Sequence, residues 1–234
     1  MTQRIATAPW RPRTDEISMI QIFHVAKNYG ANVALENINL KFQKGEFVFV
    51  TGPSGAGKTT LLRLIFGAER PTEGQILING INLNRISRSR LDPLRRKIGF
   101  IFQDFKLLLR KTVSQNVALA LEVTGERPSI IRKKTRQVLR AVGLANKEQA
   151  YPLQLSGGEQ QRIAIARAII NDPLILLADE PTGNLDPDIT REILLLFRTI
   201  NLKGTTVVIA THSKELLKDT DQRIILLSKG RIVS

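Results

Sequence analysis

A glycine-rich stretch, GPSGAGKTT at residues 52–60, has the residue types and spacing of a phosphate-binding loop. Gly52, Gly57, Lys58 and Thr59 satisfy the pattern G-x-x-x-x-G-K-[ST] between an apolar run and a helical pattern. Glycines let successive backbone amides face phosphate oxygens, and the amino terminus of the following helix adds its dipole. The sequence therefore predicts a nucleoside triphosphate site in which Lys58 bridges the β- and γ-phosphates and Thr59 holds Mg²⁺. An ordinary glycine-rich turn is the alternative.

Two adjacent carboxylates, Asp179 and Glu180, follow the apolar run PLILLA. A buried strand of an open α/β sheet delivers the residue at its carboxyl end to the edge where ligands bind. We expect Asp179 to reach the shell of the metal ion, through water. We expect Glu180 to orient or deprotonate the attacking water, a task that every phosphoryl-transfer site must assign. An acidic pair that merely ends a strand at the surface is the alternative.

Three further polar side chains come at the ends of apolar runs. Gln103 closes IGFIFQ and is predicted to bind the metal ion or its water, and His212 follows TTVVIAT and is predicted to donate to the γ-phosphate and to Glu180. Tyr29 is predicted to stack its ring on adenine, with a buried core tyrosine as the alternative. The predicted nucleotide-binding residues are Tyr29, Gly52, Pro53, Ser54, Gly55, Ala56, Gly57, Lys58, Thr59 and Thr60. The predicted catalytic residues are Lys58, Gln103, Glu180 and His212, and the predicted metal ligands are Thr59, Gln103 and Asp179.

A second anion site is predicted within LQLSGGEQQRIAIARA, residues 153–168. Ser156, Gly157 and Gly158 precede a helix and offer a hydroxyl and exposed amides. Because one phosphate-binding loop already encloses the inner side of a triphosphate, the simplest use of this turn is to cover a γ-phosphate held by another copy, in a twofold dimer that traps two nucleotides. A helix cap with Ser156 at the N-cap and Glu159 in a capping box is locally as good, but it leaves the two glycines unexplained.

The surrounding pattern predicts an α/β fold of one domain. Residues 19–80 are strand-rich and carry the phosphate-binding loop, whereas residues 112–170 place apolar residues three or four apart, which predicts a helical insert. From residue 173 onward, apolar strands alternate with helices. That alternation indicates a mostly parallel sheet covered by helices. Residues 1–18 are polar and without period, and we expect a disordered extension there.

The composition excludes several kinds of site. No cysteine is present, so disulfides and thiolate metal sites are excluded, and two histidines leave little for a histidine-built metal centre. The formal charge of +14 admits nucleic acid, an anionic membrane surface or polyphosphate ligands, with a solvated basic face as the alternative. No apolar run reaches the roughly 18 residues of a membrane-spanning helix, so we expect a cytoplasmic chain.

In order, and over nearly all of residues 19–234, the motifs GPSGAGKTT, LSGGEQQR, LLADEPT and GNLD, with Gln103 and His212, resemble the ATP-binding subunits of ABC transporters. The resemblance implies an α/β P-loop NTPase of the ABC-ATPase type, with a mostly parallel sheet core, an antiparallel β subdomain and a helical subdomain inserted at about residues 104–170. It also implies an ATPase that uses ATP and Mg²⁺ and forms an ATP-dependent homodimer.

The same resemblance assigns roles between subunits. Ser156, Gly157, Gly158 and Glu159 would act on the nucleotide of the partner copy, and Asp186 of GNLD would communicate across the interface. The helical subdomain would grip a cytoplasmic helix of an integral membrane partner.

Within the family, FIFQDFKLLLRKTV, with Asp104, and the pair Gln160 and Gln161 are similar to the FtsE subfamily of cell-division proteins. These pair with the membrane protein FtsX at the cytoplasmic face of the plasma membrane and are thought to control peptidoglycan hydrolysis. ATPases of lipoprotein-release and macrolide-export systems, which share DEPTGNLD, are the alternative. A soluble ABC-type ATPase acting on nucleic acid is less favoured, because such proteins usually carry two cassettes or a coiled-coil insert.

Overall fold

The computed structural model describes residues 18–183, 185–218 and 220–233 of the chain. In chain order the strands are β1 (Ser18–Tyr29), β2 (Asn32–Gln43), β3 (Phe47–Thr51), β4 (Glu73–Ile78), β5 (Ile81–Asn82), β6 (Ile98–Ile101), β7 (Ile175–Asp179), β8 (Thr206–Thr211), β9 (Arg223–Ser228) and β10 (Arg231–Ile232). The helices are α1 (Lys58–Ile65), α2 (Arg88–Arg95), α3 (Val113–Glu122), α4 (Pro128–Ala141), α5 (Gly157–Ile169), α6 (Pro187–Leu202) and α7 (Lys214–Leu217).

The central sheet has the strand order β10-β9-β3-β8-β7-β6. Neighbours from β9 to β6 pair in parallel, and β10 pairs with β9 in the antiparallel sense. Strands β3, β7 and β8 are buried almost throughout, as expected of strands that helices cover on both faces. Their register places Thr51 opposite Thr211 and Asp179 opposite Ala210. The carboxyl ends of these three strands therefore meet at one edge of the sheet.

A smaller antiparallel sheet, in the order β2-β1-β4-β5, packs with α1 against the central sheet. Ile20 and Ile22 of β1, Leu61 of α1 and Val50 of β3 are buried in their common core. The Asn79-Gly80 turn joins β4 to β5, with both residues at positive φ, as a tight hairpin turn requires. This sheet holds the hairpin that carries Tyr29 next to α1.

The segment between β6 and β7 is helical, and its helices α3, α4 and α5 lie within residues 113–169. Thr112 starts α3 with a capping box that Gln115 completes. Val117, Leu139 and Ile163, one from each helix, are buried in a second core on the other face of the central sheet. None of the helices that the structure describes is both long and apolar enough to cross a membrane.

Two elements between β4 and β6 are additional to the sequence prediction. Strand β5 has only two residues, and α2 contains Pro93 among basic side chains, so neither has a clear apolar period. Leu94 of α2 is nevertheless buried in the core beside α1. The predicted extension at residues 1–18 lies outside the described residues except for Ser18, which is the first residue of β1 and not part of an irregular segment.

Candidate nucleotide site

The predicted phosphate-binding loop connects β3 to α1 at the carboxyl edge of the central sheet. Gly52 and Gly57 have φ of 150° and 104°, in the region that favours glycine. A Cβ at Gly52 would lie 2.0 Å from the carbonyl oxygen of Leu227, and one at Gly57 would lie 2.6 Å from that of Ala34. The backbone of β9 therefore leaves room only for glycine at residue 52, and the backbone of β2 leaves room only for glycine at residue 57.

Backbone bonds from the carboxyl-terminal hairpin fasten this loop from outside. The amide of Gly230 donates to the carbonyl of Ala56 at 3.1 Å, and the carbonyl of Gly230 accepts from the amide of Glu36 at 2.8 Å. Arg231 also forms an ion pair with Glu36. The loop thus sits between the β9-β10 hairpin and β2, a contact that the motif itself does not reveal.

Lys58, the first residue of α1, is buried with its ammonium group inside the loop. Its Nζ donates to the carbonyl oxygens of Gly52 at 2.8 Å and Pro53 at 3.2 Å, and lies 3.6 Å from Oε1 of Glu180. Lys58 of the phosphate-binding loop and Glu180 after β7 are thus in direct contact at one edge of the sheet.

Glu180 follows β7 with φ of 47°, a left-handed conformation that is uncommon for a residue with a side chain. Its amide donates to the carbonyl of Ala210 at 2.9 Å. The buried carboxylate has Oε1 at 2.8 Å from Nδ1 of His212 and accepts from the His212 amide through Oε2 at 3.2 Å. The fold therefore fixes the Glu180 carboxylate from two sides, by Lys58 and by His212.

Asp179 accepts a hydrogen bond from Oγ1 of Thr59 at 3.1 Å. Burial raises the pKa of the Asp179 carboxyl above its usual value, and the charge of Glu180 raises it further, whereas the Thr59 bond opposes the change. Mg²⁺ prefers oxygen ligands and binds proteins through one or two carboxylates plus substrate phosphates. A carboxylate and a hydroxyl oxygen this close together fit that ion. Thr59 and Gln103 line one cleft, whereas Asp179 is not among the described residues that line it.

Most of the predicted nucleotide-binding and catalytic residues line one cleft of about 500 Å³. It is lined by Tyr29, Asn32, Val33, Ala34, Ser54, Gly55, Ala56, Gly57, Lys58, Thr59, Thr60, Gln103, Glu180 and His212. Tyr29 is 44% exposed, so the alternative of a buried core tyrosine is wrong. Its hydroxyl donates to Glu69, a residue that belongs to no motif and that nothing in the sequence places near Tyr29.

The model of the family described as ABC transporter matches residues 35–183. The chain belongs to this family. The cell division ATP-binding protein FtsE of Mycobacterium tuberculosis is 51% identical to this chain over 217 residues, or 92% of the chain and 94% of the relative. FtsE of Escherichia coli K12 is 47% identical over 215 residues, or 92% and 97%.

A solved ATP-binding cassette, dimeric in a post-hydrolysis state and bound to ADP and Pi, has a TM-score of 0.85 and 38% identity, with 92% of this chain and 97% of that chain covered. The ABC cassette resemblance and the predicted fold class are thereby confirmed. So is the enzyme class, because the chain is an FtsE-like ABC ATPase that binds and hydrolyses ATP.

The serine-glycine turn of the cassette, Ser156 to Glu159, is not among the described residues that line the cleft. Its capping box is present, because Oγ of Ser156 accepts from the Glu159 amide at 3.3 Å and Oε2 of Glu159 accepts from the Ser156 amide at 2.9 Å. A Cβ at Gly158 would lie 2.7 Å from Cγ2 of Ile189, so close packing against α6 explains that glycine. Gly157 is exposed and meets only an ordinary contact at 3.5 Å. The capping box thus leaves both glycines unexplained, and packing of α5 against α6 accounts for Gly158.

Asp186 has a local structural role in the cassette. Its carboxylate accepts from the amide of Ile189 at 2.9 Å and so caps α6, with Pro187 at the first helical position. Because Ile189 also packs on Gly158, the start of α6 adjoins the serine-glycine turn. Within the motif GNLD, Asn184 lies outside the described residues.

Proposed function

We propose that the chain is the ATP-hydrolysing subunit of an FtsE-like complex, which works as a homodimer and drives a conformational change in an integral membrane partner of the FtsX kind. The single observation that carries the catalytic part is the Glu180 carboxylate, held between Lys58 and His212 in the cleft that the phosphate-binding loop lines. The predicted roles of all these residues are part of this proposal.

Glu180 would act as the general base. A water oxygen attacks the γ-phosphorus, the bond from that phosphorus to the β,γ-bridging oxygen breaks, and a water proton passes to Glu180. Lys58 would leave its carbonyl partners to contact the β- and γ-phosphates, while His212 keeps the carboxylate oriented. Bound Mg²⁺ would be held by Thr59, Asp179 and Gln103, and would neutralise charge on the phosphate oxygens.

A second copy of the chain would complete each site. Ser156 and Gly157 are exposed and lie at the amino terminus of the α5 helix, whose dipole favours an anion. Neither lines the cleft of its own chain, which supports a role toward the nucleotide of a partner copy. Asp186 adjoins this turn and would transmit the change in the nucleotide across the interface. The solved neighbour described above is itself dimeric.

The membrane partner would contact the helical insert. Leu109, just before α3, and Val123, just after it, are 51% and 63% exposed, so both ends of this helix present apolar side chains. Helix α4 and its N-cap add exposed basic residues, at Arg127, Arg132, Lys133, Arg136 and Arg140. This distribution supports a position at the cytoplasmic face of the plasma membrane, near anionic lipid. Through the partner, ATP hydrolysis would control peptidoglycan hydrolysis in cell division.

The substitution Glu180→Gln tests the catalytic proposal. We expect ATP binding to persist and hydrolysis to fall by about 100 to 1,000-fold, the loss typical of one well-placed electrostatic group. Phosphate release would measure hydrolysis, and light scattering after size exclusion would show an ATP-bound dimer. Glu122→Gln, at an exposed glutamate on α3, is the matched control and should hydrolyse normally. An unmodified rate in Glu180→Gln would refute the assignment of the base.

A further inference from the structure

The Glu69 carboxylate contacts three side chains, one of which, Tyr29, lines the cleft. Its Oε2 accepts from the hydroxyl of Tyr29 and lies 3.3 Å from Nζ of Lys27, while its Oε1 lies 3.6 Å from Arg63 on α1. The Glu69 side chain is only 20% exposed and that of Lys27 only 15%. A carboxylate shared by three donors, two of them cationic, is more ordered than an ordinary surface ion pair.

Lys27 also contacts the ring of Tyr29. Nζ of Lys27 lies 4.9 Å from the ring centroid, within the range of a cation–π contact, and also donates to the carbonyl of Arg70 at 3.0 Å. Tyr29 lines the cleft, whereas Lys27 is not among the described residues that line it. Lys27 thus contacts the Tyr29 ring without itself lining the space that a nucleotide would fill.

The backbone around Glu69 is tied to the same strand. The amide of Thr72 donates to the carbonyl of Ala26 at 2.8 Å, and the hydroxyl of Thr72 accepts from the amide of Asn28 at 3.0 Å. Burial raises the pKa of Glu69, but the bonds from Tyr29 and Lys27 outweigh it, so the net pKa lies below the usual value and the carboxylate is charged at neutral pH. The position of Glu69 is thus fixed both by backbone hydrogen bonds of its turn and by the charge of its carboxylate.

The geometry points to Glu69 as a positioning residue for the base of the nucleotide: it holds the Tyr29 ring, through the hydroxyl and through Lys27, in the orientation that stacks on a purine. This inference rests on the proposed function, because it takes Tyr29 as the residue that contacts the base. Arg63 makes the same carboxylate a link between the helix that follows the phosphate-binding loop and the aromatic ring. A purely structural ion pair would tie the hairpin to α1 without any effect specific to the base.

Binding of two ligands to the full chain with Mg²⁺ separates these roles. ADP carries the base, whereas inorganic tripolyphosphate occupies only the phosphate-binding loop. By titration calorimetry we expect Glu69→Ala to weaken ADP binding by about 3- to 10-fold, the scale of ordering one side chain on binding, and to leave tripolyphosphate binding unchanged. Glu73→Ala, at an exposed glutamate nearby, should change neither value.

A double-mutant cycle gives the second criterion. In a Tyr29→Ala background, Glu69→Ala should weaken ADP binding no further, because the ring it positions is absent. Unchanged ADP binding in Glu69→Ala, an equal loss for both ligands, or a full loss that persists without the Tyr29 ring would each overturn the inference. If Glu69→Ala does not fold, Glu69→Gln, which can still accept from Tyr29, should show a smaller selective loss, and no loss would overturn it.

The binding comparison that tests Glu69 does not depend on ATP hydrolysis. Failure of the wild-type chain to hydrolyse ATP with its membrane partner would contradict the proposed function, whereas the comparison of ADP with tripolyphosphate concerns Glu69 alone.

Discussion

At the scale of single residues, Asp179 and Glu180 are neighbours in the chain, yet the fold gives their carboxylates different partners. The left-handed backbone of Glu180 directs its carboxylate to Lys58 and His212, and Asp179 contacts Thr59. A non-glycine residue in this region typically costs about 1 to 3 kcal/mol and persists only where the surroundings enforce it. Two adjacent residues thereby provide two chemically distinct carboxylates.

The raised pKa of Asp179 predicts a pH-dependent cost in stability. Because the folded state binds this proton more tightly than the unfolded state does, stability falls as pH rises from about 4 through the raised pKa, and the cost remains at neutral pH. Asp179→Asn keeps an oxygen for Thr59 but cannot ionise. We expect urea unfolding from pH 4 to 7 to show a flatter profile and a higher neutral-pH stability for Asp179→Asn, with ATP hydrolysis lost. Parallel profiles for the two proteins would contradict this prediction.

The chemistry of the site could be predicted from the residues themselves. The spacing around Lys58 and the carboxylates after an apolar strand are local features, and the rule that parallel strands end at one sheet edge brings them together. Glu69 carries no such signal, because it lies in a turn after α1 and reaches Tyr29 only through the packing of the small sheet. Contacts between sequence-distant turns depend on three-dimensional packing and not on a motif.

At the scale of elements, the helices and strands with strong periods follow the sequence pattern, and α2 does not. Leu91 and Leu94 of α2 pack on the core beside α1. Because Pro93 and several arginines surround them, the sequence shows no helical apolar period there. Tertiary packing stabilises such a short helix, which intrinsic propensity alone would not. The serine-glycine turn also depends on how elements pack, because Gly158 lies against Ile189 of α6 whereas Gly157 meets only an ordinary contact.

A pair of alanine substitutions distinguishes those two glycines. Gly158→Ala should destabilise the fold by about 1 to 3 kcal/mol, because its Cβ would overlap Ile189. Gly157→Ala should leave stability unchanged or increase it by up to about 1 kcal/mol, since Gly is unfavourable in a helix. Chemical unfolding measures both values. Equal destabilisation by the two substitutions would contradict the packing explanation.

At the scale of the whole molecule, the proposed dimer requires that the serine-glycine turn act on a second copy. Ser156 and Gly157 of the turn are exposed and lie outside the cleft of their own chain, so a bulky cation at Ser156 should disturb association more than nucleotide binding. Each protomer would then contribute to both nucleotide sites, as a twofold interface requires.

Ser156→Arg tests that arrangement. In the Glu180→Gln background with ATP, we expect light scattering to report monomers for Ser156→Arg and dimers for Ser156→Thr, which keeps the cap. ADP affinity should stay within about twofold of the unmodified value, because Ser156 does not line the cleft. An ATP-bound dimer of Ser156→Arg would remove the support for this interface.

The basic face of α4 predicts attraction to anionic lipid even without a membrane partner. With about 1 kcal/mol for each lysine or arginine near an anionic surface, several exposed residues should retain the chain on such vesicles at low salt. Flotation on vesicles rich in phosphatidylserine at low salt measures this, and retention should fall at about 0.5 M salt. Arg132→Glu with Lys133→Glu should reduce retention. Arg198→Glu with Lys203→Glu, the same charge reversal at exposed residues on and just after α6, is the control and should reduce it less.

The fastening of the phosphate-binding loop by Gly230 has a practical bearing on how the protein is handled. Residues 223–233 are structurally part of the ATP site although they lie far from its motifs, since they supply a backbone donor to Ala56 and hold β2 beside it. A chain shortened within this hairpin, or altered at Gly230, should therefore bind nucleotide more weakly than the unaltered chain, even though its phosphate-binding motif is intact.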